Sequence, residues 1–115
     1  MKYSDEQRIE KILYYALRLQ NYISEKNITK TQLLEEVELQ WLITTPLYNI
    51  GEHVYNLSKN FKSAHENIQW NMISGLRHRL VHDYDGTNWN IISDVIFEEL
   101  PIFIKQLQEI FSELE

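Results

Sequence analysis

Apolar residues recur at helical spacing along almost the whole of this chain, and that periodicity constrains its fold more than any other feature. Ser4 and Gln7 stand three apart as a capping box, and Ile9, Ile12, Leu13, Ala16 and Leu17 follow on one helical face. The spacing predicts a first helix over residues 5–25. Beyond Asn27 and the capping candidates Thr29 to Thr31, Leu34, Val37, Trp41 and Tyr48 form one stripe, and Leu47, Ile50, Val54, Leu57 and Phe61 a second. This is one long helix or two in line. Pro46 removes an internal hydrogen bond, so a kink is expected there, softened by Thr44 and Thr45 hydroxyls, with a full break as the competing outcome. A polar connection over 61–66 leads to a third helix carrying Ile68, Trp70, Ile73, Leu76 and Leu80 and ending near His82. Asp85 and Gly86 read as a turn, with Thr87 or Asn88 capping a last helix that bears Ile92, Val95, Ile96, Leu100, Phe103, Leu107, Ile110 and Leu114, and Pro101 as a second kink.

No segment alternates with strand period, and three Gly and two Pro are too few for a turn-rich sandwich or barrel. The expectation is an all-α, four- to five-helix up-down bundle, with residues 1–115 as one domain and no repeat or linker. A hydrophobic fraction of 43% supplies a single core. Without cysteine there can be no disulfide, thiolate zinc site or cysteine nucleophile. The opening MKYSDEQRIEKIL turns acidic at once, unlike a signal peptide, and no apolar run reaches spanning length, so a cytoplasmic protein with no membrane partner is expected. The net charge of −6 argues against broad nonspecific nucleic-acid binding. Yet from His53 to His82 the four cations Lys59, Lys62, Arg77 and Arg79 face only Glu66, a local excess of +3. One face of the molecule is expected to attract phosphate.

Within that stretch, RHRLVHDY (Arg77 to Tyr84) breaks the local pattern. On a helical wheel Ile73, Leu80, Val81, Trp70 and Tyr84 all fall within about 60° of Arg77, so a permanent charge sits at the centre of an apolar arc. A guanidinium buried unpaired costs several kcal/mol, so the position requires a carboxylate, a phosphate or a lined cleft. Arg77 and His82, five apart, are separated by about 140° on an ideal helix and share a face only if the helix ends or bends, or if a second copy packs this arc against itself. Chemistry on RNA without a metal needs a proton acceptor for the 2′-hydroxyl, a donor for the leaving oxygen and positive charge near the phosphorane. His82 is the proton-transfer candidate and Arg77 the phosphate holder, with His78 and Arg79 as auxiliary contacts.

Plainer readings stand beside this one. Arg77 in a buried ion pair with a carboxylate such as Glu52 would make the chain a noncatalytic helical module that binds a nucleotide or a protein. His82 as an ordinary helix-end histidine is favoured by the helix dipole. His78 and His82 stand at i, i+4 like a zinc pair, but no Glu follows His78, and further ligands would have to come from His53, His65 or Asp83. No cofactor or metal is expected. The tyrosines and tryptophans read as core or interface residues before base-stacking platforms.

The order of YNIGEHVYNLS, IQWNMISGLRHRLVHDYDG and WNIISDVIFEELP, from Tyr48 to Pro101, resembles HepT-type toxins of the HEPN superfamily, and Arg77, His82 and Tyr84 match that family's R-x4-H-x-Y motif. The resemblance implies a HEPN-like helical homodimer whose facing motifs form one cleft, and metal-independent endoribonuclease activity. It also implies a toxin of a type VII-like pair, with an MNT-type nucleotidyltransferase antitoxin that in some systems adenylylates the motif tyrosine, here Tyr84. An antitoxin or scaffold role is the weakest reading. His78 departs from the usual asparagine of these toxins, which leaves its role open among orienter, proton-transfer group and phosphate contact.

Overall fold

The structure is a computed structural model, and it describes residues 2–81 and 87–114. Its elements are α1 (Asp5–Glu25), α2 (Lys30–Glu35), α3 (Val37–Tyr55), α4 (Lys59–Ala64), α5 (Trp70–Val81), α6 (Trp89–Asp94), a π-helical turn (Val95–Glu99) and α7 (Leu100–Leu114). No strand occurs among the described residues. α3 is the central element, packed against both α1 and α5, and α1 also packs on α7. The four long helical stretches thus make the expected all-α bundle, with α2 and α4 as short additions. No helix is long and apolar enough to cross a membrane among the described residues.

Local chemistry accounts for most boundaries. α1 starts at the predicted capping box: Ser4 Oγ accepts from the Gln7 amide at 3.1 Å, and Gln7 Oε1 accepts from the Ser4 amide at 2.8 Å. Thr29 and Gln32 repeat the arrangement for α2. Asn88, one of the two nominated residues, caps α6 by accepting from the Asn90 and Ile91 amides. One core runs through the bundle, with Ile9, Ile12, Leu33, Leu47, Ile50, Ile73, Leu76, Ile92, Leu100 and Leu107 at its centre.

The structure differs from the sequence-based expectation in four places, and at Pro46 it excludes the competing break. The long second helix is interrupted at Glu36, whose backbone is extended (φ −99, ψ 105), while Gln40 Nε2 donates to the Leu33 carbonyl at 2.8 Å. That side chain satisfies a carbonyl of the ending helix and lets Leu33 turn fully into the core. The same helix stops at Tyr55 rather than continuing to Phe61. The polar connection after it contains α4, capped by Ser58 Oγ accepting from the Phe61 amide. Pro46 causes no break: α3 continues through it, with Thr44 Oγ1 donating to the Gln40 carbonyl at 2.7 Å. At Pro101 the disturbance takes the form of the π turn, in which the Leu100 amide donates back to the Val95 carbonyl.

The α3–α5 crossing matters most for the site. Gly51 is buried there, and a Cβ in its place would lie 2.9 Å from the Arg77 amide nitrogen and 3.2 Å from the Ile73 carbonyl oxygen. The missing side chain lets the two backbones touch. The residue after Gly51 is Glu52, so the closest approach of the helices falls where Glu52 and Arg77 face each other.

Candidate functional site

Arg77 projects from α5 toward α3, and its Nε donates to Glu52 Oε1 at 2.9 Å. Its Cζ stands 3.8 Å from the centroid of the Tyr55 ring, so the guanidinium is held by a carboxylate and also by an aromatic face. Glu52 and Tyr55 are three apart on α3 and therefore neighbours on one face. Glu52 occupies the Nε position of the fork. A phosphate is gripped bidentately through two parallel N–H groups, and the Nη pair has that geometry.

The side chain of Arg77 keeps 29% of its exposure and that of Glu52 keeps 36%, so the pair lies at the margin of the core. This corrects the wheel argument. Among the described side chains of α5 the buried apolar ones are Trp70, Ile73, Leu76 and Leu80; counted from Arg77 they run from about +20° to about −100°. Their centre is displaced toward Leu76, away from Arg77. Sequence reasoning required a partner for this arginine and nominated Glu52, and the structure brings the two together. It also places a carboxylate where the noncatalytic reading needs one.

His78 and Arg79 are exposed on the last turn of α5. The Arg79 carbonyl accepts from Thr87 Oγ1 at 3.1 Å, which ties the end of α5 to the approach of α6. His82 and Tyr84, the expected proton-transfer and modification residues, lie outside the described residues, as do Asp83 and the Asp85–Gly86 turn. Of the His78–His82 spacing weighed above as a metal pair, only His78 is therefore described. No group of three or more His, Cys, Asp or Glu is placed to hold a metal ion among the described residues.

Two neighbours of the pair escaped the sequence reading. Tyr55 had a legible signal in its i+3 spacing from Glu52. His53, named there only as a distant metal ligand, instead meets Arg8 of α1, whose Nη1 stands 3.1 Å from His53 Nδ1. Arginine can only donate, so Nδ1 accepts and the proton of the neutral ring lies on Nε2. Burial holds the His53 pKa below its ordinary value, and the nearby Arg8 and Lys11 charges lower it further against the opposing influence of Glu52.

Comparison with known proteins gives a family match over most of the chain. The family model described as ribonuclease HepT-like matches residues 6–110. A protein of Caldanaerobacter subterraneus subsp. tengcongensis named "Putative RNase" is 36% identical over 85 residues, covering 74% of this chain and 76% of that one. A Methanocaldococcus jannaschii protein with the same designation is 32% identical over 89 residues, covering 77% of this chain and 74% of that one. The "Probable ribonuclease HepT" of Thermococcus cleftensis is 26% identical over 101 residues, 88% of this chain and 90% of its own. No solved structure gives a significant match.

Proposed function

This chain belongs to the HepT-like ribonuclease family of the HEPN superfamily, and from that premise we propose that it is an endoribonuclease that cleaves RNA without a metal ion. Arg77 grips the scissile phosphate and neutralises charge as the phosphorane forms, and His82 transfers the proton. The 2′-oxygen attacks phosphorus as its proton leaves, the 5′-oxygen departs with a proton, and a 2′,3′-cyclic phosphate remains. Glu52 and Tyr55 act by holding the guanidinium in a fixed orientation, which lowers the cost of ordering it when substrate arrives. The observation that carries this reading is the Arg77–Glu52 pair, a held and partly exposed arginine that stands five residues ahead of His82 in the chain of a HepT-like family member.

In the same proposal the working form is a homodimer, which brings two copies of the R-x4-H-x-Y motif to one cleft, acting in the cytoplasm. RNA is the substrate class, and tRNA is its leading member. The protein is the toxin of a pair whose antitoxin is an MNT-type nucleotidyltransferase. Adenylylation of Tyr84 would set a bulky anion beside Arg77, occupying the place of the phosphate and repelling RNA. His78 and Arg79 serve as auxiliary phosphate contacts.

The Arg77–Glu52 contact, taken without the family membership, also fits a second reading, a noncatalytic module in which the pair is structural. One set of variants separates the two. Total cellular RNA is incubated in EDTA with unmodified wild-type protein, His82→Ala, Arg77→Ala and Glu52→Gln, each checked for folding. The nuclease reading expects discrete fragments ending in cyclic phosphate from wild type alone. It also expects at least a tenfold loss in Glu52→Gln, with stability changed by less than about 1 kcal/mol because the pair is partly solvated. Intact RNA with folded, unmodified wild type, or Glu52→Gln as unstable as Arg77→Ala, makes the pair structural.

A further inference from the structure

A second cationic cluster lies beside the Arg77–Glu52 pair. Lys11 Nζ stands 4.6 Å and Arg8 Cζ 5.6 Å from the centroid of the Tyr3 ring, and the edge of that ring meets His53 at a centroid distance of 5.9 Å. Neither Arg8 nor Lys11 has a carboxylate within ion-pairing distance among the described residues, where the only ion pairs are Lys30–Asp94 and Arg77–Glu52. In a chain with six more acids than bases, two cations gathered on one aromatic ring without a counter-charge constitute an anion-seeking patch. Tyr3 as a residue is 42% exposed, so the patch lies at the surface.

Its place in the fold gives it meaning. Glu52 and His53 are consecutive residues of α3, so their side chains diverge by about 100° around the helix. Arg77 of α5 meets the first and Arg8 of α1 meets the second. The two arginines therefore meet the last turn of α3 at neighbouring positions about 100° apart around its axis. We propose that Tyr3, Arg8, Lys11 and His53 form a subsite for the RNA backbone adjoining the Arg77 position. Arg8 and Lys11 take a phosphate next along the strand, and the Tyr3 face takes a base or ribose. This inference rests on the reading of the chain as an RNA-binding ribonuclease, and it adds where the strand runs.

The test is binding rather than cleavage. Fluorescence anisotropy with a labelled single-stranded oligonucleotide, in the His82→Ala background, is followed across a salt series for the parent, Lys11→Ala and Arg8→Ala/Lys11→Ala. Because Arg8 also bonds His53, Lys11→Ala serves as the cleaner variant: Lys11 meets the Tyr3 ring and influences His53 only through its charge. The log–log salt slope should fall by about 0.7 for the single and about 1.4 for the double variant. Affinity at low salt should drop about tenfold or more in the double variant, and binding of a mononucleotide should not change. An unchanged slope with RNA still bound overturns the subsite and leaves the nuclease reading intact. Mononucleotide binding that weakens as much as strand binding overturns it in favour of a small-molecule phosphate site. Parent protein that binds no RNA overturns both, whereas RNA held with the reduced slope in the variants but never cut by wild type sustains the subsite and sinks the nuclease.

Discussion

Gly51→Ala and Gly75→Ala are the same substitution in two helices packed on each other, and they are expected to change stability in opposite directions. A methyl group on Gly51 would meet the Arg77 nitrogen at 2.9 Å and the Ile73 oxygen at 3.2 Å. Both are backbone atoms and cannot rotate away, so α5 must move as a body. A methyl group on Gly75 meets nothing within 4 Å. Overpacking costs about 1–3 kcal/mol, and alanine is favoured over glycine within a helix by about 0.5–1 kcal/mol. The net expectation is a loss of about 1–2 kcal/mol for Gly51→Ala and a gain of up to about 1 kcal/mol for Gly75→Ala. At about 4 °C per kcal/mol for a domain of this size, the two melting temperatures should differ by about 4–12 °C. Urea unfolding at constant m-value, with thermal melts in parallel, measures the difference. Gly51→Ala as stable as wild type, or both variants shifting the same way, would refute the claim that the helix contact at Gly51 is limiting. Since the forced movement carries Arg77 away from Glu52, RNA cleavage should fall in Gly51→Ala and persist in Gly75→Ala.

Two further outcomes follow from the geometry. His53 has its pKa lowered in the fold, chiefly by burial and then by Arg8 and Lys11. As pH falls below the ordinary histidine value of 6.5, the unfolded chain takes up this proton first, so the residue subtracts stability in the acid direction until the folded form also titrates. His53→Gln keeps an acceptor for Arg8 and removes the titration, so thermal melts from about pH 7.5 to about pH 5 should decline less steeply than wild type; equal slopes would discount burial at His53. Asp5 accepts from the Ser58 amide at 2.9 Å and from Ser58 Oγ at 2.7 Å, joining the start of α1 to the cap of α4. A double-mutant cycle with Asp5→Ala and Ser58→Ala should give a coupling of about 0.5–1.5 kcal/mol, the exposed setting keeping it modest, and additive losses would count against the clamp.

Much of this fold was legible because its information is local. The Ser4–Gln7 box and the Asn88 cap are short-range patterns, and the long apolar stripes announce α1, α3, α5 and α7. The break at Glu36 was not legible, because it depends on Gln40 reaching back to the carbonyls of Leu33 and Leu34 and on Leu33 entering the core. α4 has six residues and none buried, so it carries no periodicity, and only the Ser58 cap marks it. At the site, the demand of Arg77 for a partner was readable from charge against pattern, and the partner was the nominated Glu52. The position of Arg8 against His53 was not readable, since it depends on how α1 crosses α3. His82 and Tyr84 remain a matter of motif.

The π turn before Pro101 sets the phase of the last helix. Wound as plain α-helix from Ile92, the buried apolar residues downstream of the turn (Leu100, Phe103, Ile104, Leu107, Ile110) would point on average about 60° ahead of those before it and in its first two residues (Ile92, Val95, Ile96). One i→i+5 turn holds a residue more than an α turn, which retards the winding by about one residue's 100° and draws the two stripes back toward a common line. The turn works as a vernier. An apolar pattern that looks out of step in the sequence is in step in space, and α7 lies along α1 because the helix slips by one residue before it gets there.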